Sequence, residues 1–92
     1  MALTVYLSGH LRSFTGGEIE VSLGDAAATV GDALNELWSQ YPALRDRILD
    51  EQGEIRTHVN IFIGDKSVKQ IDGLATPVDA DELHIFNAVS GG

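Results

Sequence analysis

The chain has no cysteine, two prolines, one methionine and one tryptophan among its 92 residues. Without cysteine there is no disulfide framework, no thiolate nucleophile and no cysteine-based metal site. Its apolar residues never form an unbroken run long enough to cross a bilayer, and the N-terminal "MALTVYLSGH" has no basic stretch ahead of them. Neither a signal peptide nor a membrane partner is expected, and the chain is read as cytoplasmic. Basic residues are also scarce: 6 Lys and Arg against 14 Asp and Glu leave a net charge of -8. An acidic surface repels phosphate backbones, so no nucleic-acid partner is expected. It suits a protein partner with a basic docking face, with plain solubility as the simpler account.

What is present points to one small globular domain spanning 1–92. Hydrophobic residues make up 43% of it, which argues against disorder. Residues 3–8, "LTVYLS", alternate Leu3, Val5 and Leu7 against Thr4, Tyr6 and Ser8; residues 18–23, "EIEVSL", place Ile19, Val21 and Leu23 on one side. The pair predicts a hairpin around a glycine-rich turn region, "GHLRSFTGG". Val30, Ala33, Leu34, Leu37, Trp38 and Tyr41 fall on one stripe at helical spacing, with Thr29 as N-cap. Pro42 ends that helix and opens a short second one with Leu44 and Ile48 inward. A third strand is expected from Ile55 through Val59, Ile61 and Ile63. A tight "GD" turn and a short edge strand over 66–69 follow, and a last strand is expected over 83–89. The order predicts an α+β domain: a mixed sheet of four to five strands covered on one face by the main helix.

The complementary parity is unusual. Tyr6, Phe62 and Phe86 lie on it, one aromatic per strand, together with His58, His84 and Arg56. A solvent-facing sheet surface normally carries polar residues. Two accounts stand: a docking patch built on the aromatics, or rings that are covered by a loop or paired across strands for stability.

Other chemistry is poorly supported. His10, His58 and His84 match no zinc spacing, so no metal is expected. The acids at Asp50, Glu51, Asp79, Asp81 and Glu82 sit in turns, where carboxylates are solvated. "TGG" at 15–17 lacks the lysine of a phosphate loop. Arg12 and Arg56 suit either solvent or an acidic group on a partner. The remaining feature is the end, "NAVSGG". Either it is a frayed tip or its carboxylate is the working group.

With "TVGDALNELWSQYP", "ALRDRILDEQGEIRTHVNIFI", "GLATPVDADEL" and the terminal "AVSGG" in this order, nearly the whole chain resembles the small ubiquitin-like sulfur carriers of the MoaD/ThiS family. The resemblance implies a β-grasp fold in which the first and last strands lie side by side and the third flanks the last. Tyr6, Phe86 and Phe62 would then be lateral neighbours. It also implies a carrier rather than an enzyme. A ubiquitin-activating-type enzyme adenylates the Gly92 carboxylate with ATP, which the carrier itself does not bind. Persulfide sulfur, supplied in some systems by a sulfurtransferase, then displaces AMP to leave a thiocarboxylate. A sulfur-accepting synthase subunit receives the sulfur, with molybdopterin synthesis the favoured destination.

In this scheme Gly92 reacts and Gly91 gives clearance, while Val89 and Ser90 set the approach. Residues 88–92 form a flexible tail that reaches roughly 17 Å when extended. Two other classes stand beside it: a modifier joined to lysines through Gly92, and an interaction module whose diglycine is incidental. Ala80 in the "DAD" turn and the reversed "GD" order depart from the commoner glycine positions and leave local turn geometry open.

Overall fold

The computed structural model describes residues 3–24 and 27–87. The chain forms β1 (Leu3–Leu7), a 3-10 helix (Gly9–Phe14), β2 (Glu20–Leu23), α1 (Val30–Gln40), α2 (Pro42–Ile48), β3 (Val59–Ile63), β4 (Lys66–Ser67), 3-10 turns at Val68–Gln70 and Gly73–Ala75, and β5 (Glu82–Asn87). The five strands make one mixed sheet in the order β2-β1-β5-β3-β4. Within it β5 runs parallel to β1, and β3 runs antiparallel to β5. This is the β-grasp arrangement, with the last strand inserted at the centre.

Alternation explains which face of the sheet is closed. Leu3, Val5, Leu7, Val59, Ile61, Ile63, Leu83 and Ile85 all point to one side and are buried. The α1 stripe of Val30, Ala33, Leu34, Leu37 and Trp38 is buried in the same core cluster. Thr29 caps α1 as expected, its hydroxyl accepting from the Asp32 amide at 3.2 Å. Tyr41 lies one residue past the helix and is only partly buried. Pro42 occupies the first turn of α2, where its missing N–H leaves no helical bond unmade, and Leu44 and Ile48 are buried. Glycine matters at two points. Gly64 has φ +60° at the first position of the two-residue β3–β4 turn and Asp65 does not share the positive φ, which suits a type II′ hairpin and accounts for the order "GD". Gly31 lets α1 approach the Gly73–Ala75 turn, for a Cβ there would lie 3.0 Å from the Leu74 carbonyl oxygen.

Several expected boundaries move. The region 9–17 is not only turn: it contains a 3-10 helix that buries Leu11. The β2 strand starts at Glu20, and Ile19 is 49% exposed although its parity points inward. It sits at the open end of an edge strand that has a neighbour on one side only. The third strand begins at Val59 instead of Ile55. Ile55 bridges Leu49 and the Arg56 amide donates to the Ile48 carbonyl at 2.9 Å, so this stretch follows the end of α2 before turning into the sheet. The expected edge strand over 66–69 shortens to two residues and continues as 3-10 turn. The "DAD" turn forms with no positive φ at Ala80. β5 is described to Asn87, and the expected extension to 89 lies outside the described residues.

Candidate docking face and tail root

The open face of the sheet is built by the residues that alternate with the core positions. Tyr6, between Val5 and Leu7, points away from the helix, as do Phe62 and His84. Register sets what they touch. Tyr6 and Phe62 lie opposite His84 from either side, whereas Phe86 lies opposite Asn60. The lateral row is therefore Tyr6, His84, Phe62, with Phe86 one step along the strand; the expectation that Phe86 stands between the other two aromatics is corrected by this register. Tyr6 stacks on the His84 ring at 4.9 Å between centroids and 13° between planes. Phe62 and Phe86 stack diagonally at 5.7 Å and 23°.

Cross-strand pairing and exposure thus coexist. Each ring covers its neighbour, and all four remain half-exposed. Shallow hollows flank them. One of about 170 Å³ is lined by Tyr6, Ser8, His84 and Phe86. Another of about 530 Å³ is lined by Phe62, Lys66, Gln70 and Ile71. Ile71 is 44% exposed and extends the apolar surface beyond Phe62. Sequence reasoning missed it, since it falls in a loop without periodicity; the one available signal was a large aliphatic residue among polar loop neighbours.

The face is acidic toward the start of β5. His84 Nε2 lies 3.2 Å from Glu82 Oε1. The Tyr6 phenol is held above its ordinary range, first by desolvation and then by the carboxylates of Glu20, Glu82 and Asp81. Tyr6 therefore stays neutral and able to donate a hydrogen bond at neutral pH.

Arg56 and His58 are not part of this face, because β3 begins after them. Arg56 Nε donates to the Asp46 carbonyl at 2.9 Å, and His58 lines a separate cleft with His10. Val89, Ser90, Gly91 and Gly92 lie outside the described residues. What the structure does place is their root. Asn87 pairs with Val59, at the same end of the sheet as Leu7, the last residue of β1. Among the described residues no group of three or more His, Cys, Asp or Glu could hold a metal, and no helix is long and apolar enough to cross a membrane.

A mixed sheet grasping one helix, with its last strand central, defines a ubiquitin-like β-grasp domain. The model of the ThiS family matches residues 5–92. The chain belongs to the ThiS family. It is similar along its whole length to the sulfur carrier protein CysO of Mycobacterium tuberculosis, 36% identical over 96 aligned positions that cover 100% of both chains. It is 41% identical over 69 residues, 74% of each chain, to small archaeal modifier protein 3 of Haloferax volcanii. Among solved structures, one chain of the Amycolatopsis orientalis BexX/CysO complex superposes with a TM-score of 0.83 at 32% identity, covering 98% of this chain and 99% of that one.

Proposed function

We propose that the protein is a sulfur carrier whose Gly92 carboxylate is activated and loaded by partner enzymes. The observation that supports this most is the position of β5. A central strand held on both sides by β1 and β3 makes a rigid base, and the sequence beyond it is "AVSGG". Glycines pass a narrow channel and adopt whatever φ/ψ an active site imposes. The similarity to CysO, a protein named as a sulfur carrier, points the same way.

The chemistry follows from the weakness of a carboxylate as an electrophile. Its oxygen attacks the α-phosphorus of ATP on an adenylating partner, pyrophosphate leaves, and an acyl-adenylate forms. The terminal sulfur of a persulfide attacks the acyl carbon and AMP departs with the bonding pair. A thiol then cleaves the S–S bond of the acyl disulfide and is itself oxidised to a disulfide, releasing the thiocarboxylate. This chain contributes presentation, and the catalytic groups belong to its partners. The half-exposed row of Tyr6, His84, Phe62 and Phe86 is the surface by which they hold it, since interface energy concentrates in aromatic anchors.

Modification of lysines through Gly92 is the second reading, favoured by the likeness to small archaeal modifier protein 3. The expected preference for molybdopterin synthesis draws no support from these relatives, so the acceptor is taken as a sulfur-accepting synthase without further narrowing. Incubating the chain with ATP, an adenylating enzyme, a persulfide donor and a thiol reductant tests the leading reading. Intact mass should rise by the difference between sulfur and oxygen. Cell extracts that instead show a ladder of high-mass adducts, lost on deleting Gly92, favour the modifier.

A further inference from the structure

The two ends of the sheet differ in charge. Where β5 begins, Asp79, Asp81 and Glu82 gather, and Lys66 is engaged by Asp79 at 2.9 Å. Where β5 ends, the segments after β1 and before β3 face α2 across a cleft of about 320 Å³. His10, Phe14, Arg47, Arg56 and His58 line it, with Asp46. Two of the four arginines and two of the three histidines of an otherwise acidic chain therefore meet at the tail root.

Both arginines are held in place. The Arg47 guanidinium lies 4.6 Å over the Phe14 ring. Arg56 is anchored through Nε to the Asp46 carbonyl, which leaves its terminal nitrogens as further donors. The Arg56 carbonyl also accepts from Lys69 Nζ at 3.0 Å, so its backbone is fixed from the other side. Asp46, the carboxylate in the lining, is exposed and lies 3.7 Å from Arg45, which offsets part of its charge. A guanidinium held by an aromatic face or a backbone carbonyl keeps its planar fork and loses less freedom when it meets a carboxylate.

We infer that this cleft receives an acidic segment, Asp or Glu side chains, of the protein that takes up the tail. The inference rests on the carrier reading and specifies its partner. Net charge alone calls for a partner with a basic face; the cleft adds an acidic element beside the mouth that admits residues 88–92. Guanidinium groups gathered in one cleft attract an acidic element locally, beside the tail root, on a body whose overall charge would otherwise repel acids.

The direct test is a titration of the ¹⁵N-labelled full chain with a decaglutamate peptide, followed by NMR. The Arg56 Nε–H and the amides of His10, Phe14, Arg47 and His58 should shift together, and the response should fade as salt rises. Arg47→Glu, at an exposed position, should weaken peptide binding about fivefold or more, whereas Arg47→Lys retains most of it. Shifts scattered over the surface, an unchanged response in Arg47→Glu, or equal shifts with inorganic phosphate alone would overturn the proposal. A second arm uses an adenylating enzyme already shown to activate the wild-type chain. Arg47→Glu should raise KM for the carrier and leave kcat intact, with the difference shrinking in high salt. Because the peptide arm needs no loading and the enzyme arm begins from a competent wild type, failure of the cleft is distinguishable from failure of the carrier reading.

Discussion

The two faces of the sheet are made by the same strands, one residue apart, and they do opposite work. On the helix side Val5, Ile61, Leu83 and Ile85 are sealed under α1, fully removed from water. On the other side Tyr6, His84, Phe62 and Phe86 stack on one another and keep part of each ring exposed. The closed face uses branched aliphatics, which interlock with a helix stripe and carry no polar atom to satisfy. The open face uses flat rings, which shelter each other without a covering layer and still offer area to a partner. With the open face as the proposed docking surface, stability and recognition would be separated by strand parity, and substitutions on the two faces should part in their effects.

The largest effect belongs to the closed face. Ile61→Ala should destabilise by about 2–5 kcal/mol in urea or thermal melts, because the sheet and α1 cannot both collapse into the cavity. A cost below ~1 kcal/mol would show a looser core than the burial implies. Gly31→Val comes next. The added side chain meets the Leu74 carbonyl, and α1 must lift from the Gly73–Ala75 turn, at about 1–3 kcal/mol. On the open face the order reverses. Phe86→Asp should leave a folded chain, losing about 0.5–1.5 kcal/mol with the Phe62 stack, while association with the adenylating partner weakens roughly tenfold. An unfolded Phe86→Asp chain would instead place this ring with the core.

The smallest effect sits at the rim. Lys66 lies 2.9 Å from Asp79, and that hydrogen bond holds the Asp79 carboxyl below its ordinary range and the Lys66 ammonium above its own. The Asp79 contribution is present above the unfolded carboxylate range and fades as pH falls through the depressed folded value. The Lys66 contribution is present below the unfolded lysine range and fades as pH rises through the raised folded value. Both groups are exposed, so Lys66→Ala should change the melting profile barely at neutral pH and not at all in strong acid. A large loss would mean that β4 depends on this pair.

Much of this architecture is legible in the sequence itself. The α1 stripe from Val30 to Trp38, its Thr29 cap and the proline that opens α2 are local signals, and each is found where periodicity and capping place it. The aromatic parity of Tyr6, Phe62 and Phe86 is visible there too. What escapes depends on contacts distant in sequence. Whether Arg56 and His58 continue β3 is decided by the Leu49–Ile55 bridge, which alternation alone cannot register. That Tyr6 faces His84, with Phe86 one step on, follows from the parallel β1–β5 register. The exposure of Ile19 and Ile71 reflects where neighbouring layers stop, and no local pattern carries that information.

The central claim is that Gly92 carries sulfur as a thiocarboxylate. Intact mass spectrometry of the chain after ATP, adenylating enzyme, persulfide donor and a thiol reductant tests it most directly, with fragmentation to locate the change. The account predicts a gain equal to sulfur minus oxygen, confined to the peptide ending in Gly92. Consumption of ATP to yield the acyl-adenylate with no such gain, in a mixture that loads another carrier, would contradict it.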